Sequence, residues 1–168
     1  MNDEKHVVPA DEARKAVRDM TRRVGLLHMA YARTLVDELG EERGKELIEK
    51  AIWAYGTLIG ERTRRSVEAR GLEPTVENFS KGSDLSPIGF DHATTVVEGE
   101  ERVQSLTCAM AEIWQEYGEN ELGGLYCLVD PAKMQTYNPH WTWVHTKKIP
   151  DGDEFCELAI RPLEEEKG

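Results

Sequence analysis

Across residues 11–70 apolar side chains recur every three or four positions, and a single glycine breaks the run. Val17, Met20, Val24, Leu27, Tyr31 and Leu35 form one stripe, and Leu47, Ile48, Ala51, Tyr55, Leu58 and Ile59 form another. A stripe of that period is one face of an amphipathic helix. Gly40 separates the two and Gly71 ends the second, so the spacing predicts helices over 11–39 and 41–70 folded back as an antiparallel hairpin. Each would reach about 45 Å. Neither can bury its stripe alone, so they must pack on each other and on the second half of the chain. Within the second helix, Gly56 and Gly60 sit four apart, where each costs about 1 kcal/mol relative to Ala. That pattern predicts another element lying close against that face.

Beyond residue 70 the period changes. Residues 72–91, rich in Gly, Pro and Ser, read as a connector with at most one helical turn near 76–79. Strands are expected at 92–97 and 102–107 around Glu98-Gly99-Glu100, then a helix at 108–117. Asn120 can cap a further helix through Val129, and Asp130-Pro131 reads as a cap and first turn that restarts a helix to Tyr137. Alternation predicts strands at 141–148 and 154–161. The fold class is therefore α+β: a helical hairpin (11–71) packed on a part with a small antiparallel sheet and short helices (92–162). Residues 1–10 and the acidic tail 163–168 are expected to be disordered.

Charge divides the chain in the same place. Of a net charge of −11, residues 1–90 carry −1 and residues 91–168 carry −10. An acidic chain has the wrong sign for a phosphate backbone or an anionic membrane surface, so neither nucleic acid nor membrane is an expected partner. No apolar run approaches the roughly 20 residues of a bilayer span. With no secretory signal at the start, the three cysteines read as cytoplasmic thiols and not as a disulfide framework.

The reactive side chains lie in the second half. Cys108 opens a helix, where the positive helix end favours thiolate; that makes it the leading nucleophile, against the reading of a small buried side chain. Asp130 lies three residues after Cys127 and either caps a turn or orients water or an amidine-like ligand. Cys156 alternates with Leu158 and Ile160 and faces the core. His145 shares a strand face with Trp141 and Trp143, while His140 lies on the other; a core or rim histidine is the commoner case for both. The basic cluster Arg62, Arg64, Arg65 and Arg70 either offsets a helix C-terminus or holds an anionic substrate. No phosphate loop, dinucleotide fingerprint or zinc spacing is present, so chemistry without a cofactor or metal is expected.

Several of these residues fall into an ordered set: Cys108-Ala109-Met110-Ala111-Glu112-Ile113-Trp114, Leu125-Tyr126-Cys127-Leu128-Val129-Asp130, Tyr137-Asn138-Pro139, Thr146-Lys147 and Gly152-Asp153-Glu154-Phe155-Cys156. With Tyr55-Gly56 and Gly60 upstream, the chain resembles the L-2-amino-thiazoline-4-carboxylic acid hydrolase family over about residues 15–162. Ala109 departs from it, standing where a proline is expected. The resemblance implies hydrolytic opening of a carboxylated cyclic isothiourea to an N-carbamoyl amino acid, by thiolate or activated-water attack at ring carbon C2. On that reading Cys108, Cys127, Asp130 and Asn138 are the catalytic candidates, with Asn138 donating to the tetrahedral centre. Tyr126, Cys156 and Trp143 are the candidates for contacting substrate, although His140, Trp141, Trp143 and His145 match no motif position. The rival is a non-enzymatic sensor of small molecules, metal or redox state built on the three cysteines. A homo-oligomer formed through the hairpin is compatible with either.

Overall fold

The computed structural model describes residues 7–163, so 1–6 and 164–168 of the ends expected to be disordered lie outside the described residues. At the inner limits of those ends Ala10 already opens a helix, and Leu163 N–H donates to the His140 carbonyl. Two long helices, α1 (Ala10–Leu39) and α2 (Glu41–Glu68), reverse at Gly40, whose φ of 80° suits a residue without a side chain. Gly44 lies against Val36 across the turn and closes that end of the hairpin. The connector is more structured than its composition predicts. It holds 3₁₀ turns at Val76–Asn78 and Pro87–Gly89 and a short helix α3 (Phe79–Gly82), pinned where Gly82 packs on Thr63 and Val67 of α2.

The described strands all follow residue 90. They are β1 (His92–Val97), β2 (Glu100–Ser105), β3 (Trp141–Lys147) and β4 (Cys156–Pro162), in an antiparallel sheet of order β1-β2-β4-β3. β2 starts two residues earlier than the expected 102, because Val97 pairs with Glu100 across a two-residue turn in which Glu98 and Gly99 both take positive φ. Between the hairpins run α4 (Ala109–Tyr117), α5 (Asn120–Gly124), a 3₁₀ segment (Leu125–Leu128) and α6 (Val129–Tyr137).

Two expected caps are absent. Glu119, not Asn120, precedes α5, and the Asn120 Oδ1 is buried without a partner. Asp130 does not start α6 either: Leu128 and Val129 are already helical, and Asp130 is the second residue of a helix entered directly from the 3₁₀ segment. Packing overrides the local signal, because Val129 and Ala132 are buried against α2. The first helical amides have no intrahelical acceptor anyway, so Pro131 costs this helix no hydrogen bond.

Gly56 and Gly60 of α2 bear out the expectation of a close neighbour, and that neighbour is α6. A Cβ at Gly56 would come within 2.6 Å of the Ala132 Cβ; one at Gly60 would collide with the Lys133 carbonyl and sit 2.8 Å from the Thr136 Cβ. Because the obstacle at Gly60 is backbone, Gly60→Ala is expected to destabilise by about 1–3 kcal/mol, although Ala is the better helix former. A thermal melt checks the sign; an unchanged or raised midpoint would contradict this packing.

Arginines of α1 hold the second half. Arg14 reaches Asp91 at 2.6 Å, Arg18 and Arg22 grip Glu112 at 2.5 and 3.1 Å, and Arg33 pairs with Glu119. The basic end of α2 is spent in exposed pairs, Arg62 with Asp84, Arg64 with Glu68 and Arg65 with Glu61. That answers the question of a substrate cradle there in favour of surface pairing for those three.

On the sheet face away from α6, the buried Glu157 accepts hydrogen bonds from Gln104, Thr146 and Arg102 at 2.7–2.9 Å. Those bonds hold its carboxyl down at about 2. A folded-state pKa depressed below the unfolded value adds stability above about pH 4.5 that is lost as pH falls towards 2. Glu157→Gln is therefore expected to flatten the acid limb of stability over that window. Acid titrations of the melting temperature compare the two, and identical limbs would contradict it.

Candidate active site

The site forms where the first turn of α6 meets β3. Along α6 the chain rises about 12 Å from Asp130 to Asn138, reverses, and runs back about 13 Å from Trp141 to His145. The return sets His145 beside Asp130: its Nε2 lies 3.1 Å from Asp130 Oδ2, while Lys133 Nζ donates to Oδ1 at 2.9 Å. Burial alone would raise the Asp130 carboxyl, but the Lys133 ammonium and the hydrogen bonds from His145 and Lys133 outweigh it and bring it down to about 2. Asp130 is therefore ionised and can only accept.

That fixes the imidazole. The hydrogen on the 3.1 Å contact must belong to His145 Nε2, so in the neutral ring Nδ1 carries a bare lone pair. The Nδ1 is buried and has no hydrogen-bond partner. Two residues earlier on the same strand face, Trp143 also leaves its Nε1–H buried and unpartnered. Lys133 Nζ sits over the Trp143 ring, 4.5 Å from its centroid. Asp130, Lys133, Trp143 and His145 are thus linked as neighbours, and a fifth of the Asp130 side chain remains accessible.

The structure gathers most of the sequence candidates near this group. Burial raises the pKa of Cys108, Cys127, Cys156 and Tyr126, and the Asp130 carboxylate adds to the rise at each. Cys108 and Tyr126 pack on the cluster of Ala111, Ile113 and Trp114. The Tyr126 ring lies edge-on to His28, 5.3 Å away, and Ile149 N–H donates to Cys156 Sγ at 3.4 Å.

The expected thiolate at Cys108 is corrected by its surroundings. Cys108 does precede α4, and the amides of Met110 and Ala111 pull its pKa down, but burial is the larger effect and leaves it raised. Burial raises Cys127 and Cys156 as well. No thiol lies within hydrogen-bond reach of His145 Nδ1. Among the described residues no group of three or more His, Cys, Asp and Glu side chains is placed to hold a metal ion.

Asn138 is not brought in. It stands at the far end of α6, where its Nδ2 donates to the Pro74 carbonyl and its Oδ1 accepts from the His140 amide. There it lines a cleft of about 460 Å³ between the connector and the sheet, which touches neither Asp130 nor the thiols. Lys133 is the member that sequence reasoning missed, and His145 is the one it weighed and read as a core or rim histidine. The signal for His145 was the alternation of β3, which sets Trp143 and His145 on the face turned to α6.

A family model described as L-2-amino-thiazoline-4-carboxylic acid hydrolase matches residues 10–160, and no curated protein and no solved structure matches the chain.

Proposed function

We propose, for a chain that belongs to the L-2-amino-thiazoline-4-carboxylic acid hydrolase family, that His145 and Asp130 activate water to open a carboxylated cyclic isothiourea. The family's name is that of a hydrolase; the substrate class and the residues that act on it are our inference. For this chemistry the attacking water must enter beside His145 Nδ1, which is buried and has no partner, while Nε2–H is held by Asp130. Water oxygen adds to ring carbon C2, and its proton passes to Nδ1. The resulting imidazolium is stabilised by the Asp130 carboxylate, as a base must be to work near neutral pH. The C2=N pair, displaced onto nitrogen as the oxygen adds, re-forms C2=N as the C2–sulfur bond breaks. The sulfur takes the proton from Nδ1, and the hydroxyl proton moves to nitrogen to give an N-carbamoyl amino acid with a free thiol, one water having been added. Trp143 Nε1–H and the Lys133 ammonium supply donors for the substrate carboxylate.

The observation that carries this reading is the buried, unpartnered Nδ1 on an imidazole whose other nitrogen is fixed by a carboxylate. A buried polar atom without a partner costs stability, and such atoms concentrate at functional sites. Thiol release from L-2-amino-thiazoline-4-carboxylate, followed with a chromogenic disulfide, tests it. Wild type is expected to release one thiol per ring opened. Asp130→Asn is expected to lose activity about 100-fold or more while remaining folded. Wild-type activity in that variant would contradict the reading.

A further inference from the structure

We infer that the outer face of the helical hairpin is the docking surface for a second copy of this chain. α1 carries Val17, Met20, Val24, Leu27 and Tyr31 at alternating steps of three and four, the period of a seam between two helices. Val17 is half-buried against Gly89, but the rest of the seam is open: Met20 is 60 % exposed, Leu27 57 % and Tyr31 67 %. Instead α1 meets α4 through its other side, where Gly25 lies on Ile113 and Arg18 and Arg22 bind Glu112. Leu85 and Ser86 flank Ala16, Val17, Met20 and Val24 along an apolar groove of about 380 Å³, and Leu85 is itself 60 % exposed. Leu58 of α2 is exposed as well. It points away from α6, since Gly56 and Gly60 occupy the opposite side of the helix, and it is exposed to the same degree as Leu85.

Area and charge point to a second copy as the occupant. Six side chains of this size, each about half exposed, offer on the order of 600 Å² of apolar surface, the upper end of what a monomer ordinarily leaves in one patch. A standard interface buries about 800 Å² per partner, roughly 60 % of it apolar, so this face meets that need without further surface. The net charge of −11 would keep two copies apart if they met through residues 91–168, which carry −10, but residues 1–90 carry −1. Docking through the hairpin holds the acidic halves on the outside. A strongly basic partner would instead be drawn to the acidic half. Two α1 helices packed antiparallel about Val24 would set slim Val17 against bulky Tyr31 and Met20 against Leu27, so the seam is complementary to itself.

Sedimentation velocity of the full chain at micromolar concentration tests the proposal. Wild type is expected to sediment as a dimer of about 38 kDa, twice 19.1 kDa. Leu27→Lys with Tyr31→Lys is expected to give a monomer that keeps the wild-type circular dichroism spectrum, because both side chains are exposed within one copy. Val96→Lys, a comparably exposed position on the sheet, is expected to leave the dimer intact. A monomeric wild type would overturn the proposal, and so would a double variant that still dimerises.

Discussion

His145→Gln is expected to lose 100-fold or more of thiol-releasing turnover while its melting temperature moves by only a few degrees. Glutamine fills much of the imidazole's volume and keeps an amide N–H to offer Asp130, but it has no basic lone pair to take a proton. The ionised Asp130 also keeps Lys133 at 2.9 Å, so the variant does not leave a buried charge without a partner. The loss should fall on the chemical step and therefore on kcat. A variant that fails only in KM would instead make His145 a substrate contact. Wild-type kinetics in His145→Gln would remove it from the mechanism.

A second large effect concerns the core on which Cys108 and Tyr126 pack. Trp114 is among the most deeply buried side chains, its Nε1–H donates to the Gly25 carbonyl at 3.1 Å, and its ring rests directly on Gly123. It also packs near His28 and Tyr126, with ring centroids 5.9 and 6.2 Å away. Trp114→Ala therefore opens a cavity beneath α1 and α4 and removes the hydrogen bond that ties the indole to α1. The expected cost is about 3–5 kcal/mol, a large fraction of the stability of a domain this size. Denaturant unfolding measures it. A cost below about 1 kcal/mol would mean that α1 and the second half do not share this core.

The hairpin was legible because its signal is local and repeated: the apolar period, the glycine at the turn and the paired glycines Gly56 and Gly60 each report on one helix face. The α+β class and the sheet were legible from the change to alternation after residue 90. The family was legible too, from cysteines, an aspartate and an Asn-Pro in order, and the match covers residues 10–160. The electrostatics of the site were not. Asp130 looks like a cap when read beside Pro131, and only the burial of Val129 and Ala132 against α2 shows why the helix runs through it. Cys108 looks like an activated thiol when read as a helix start, but burial outweighs the helix end. His145 and Asp130 are fifteen residues apart, and nothing local pairs them. Their meeting depends on how far α6 rises before β3 returns. Asn138 shows the converse: a residue prominent in the family's ordered set that the fold uses to fasten the connector.

Water activated by His145, and not a cysteine thiolate, is the proposed attacking group. Cys108→Ser turning over L-2-amino-thiazoline-4-carboxylate tests that most directly, since serine keeps the shape and removes the only thiol placed at a helix start. Thiol release within a few-fold of wild type is the predicted result. A loss of 100-fold or more, in a variant that melts like wild type, would contradict it and make Cys108 the nucleophile.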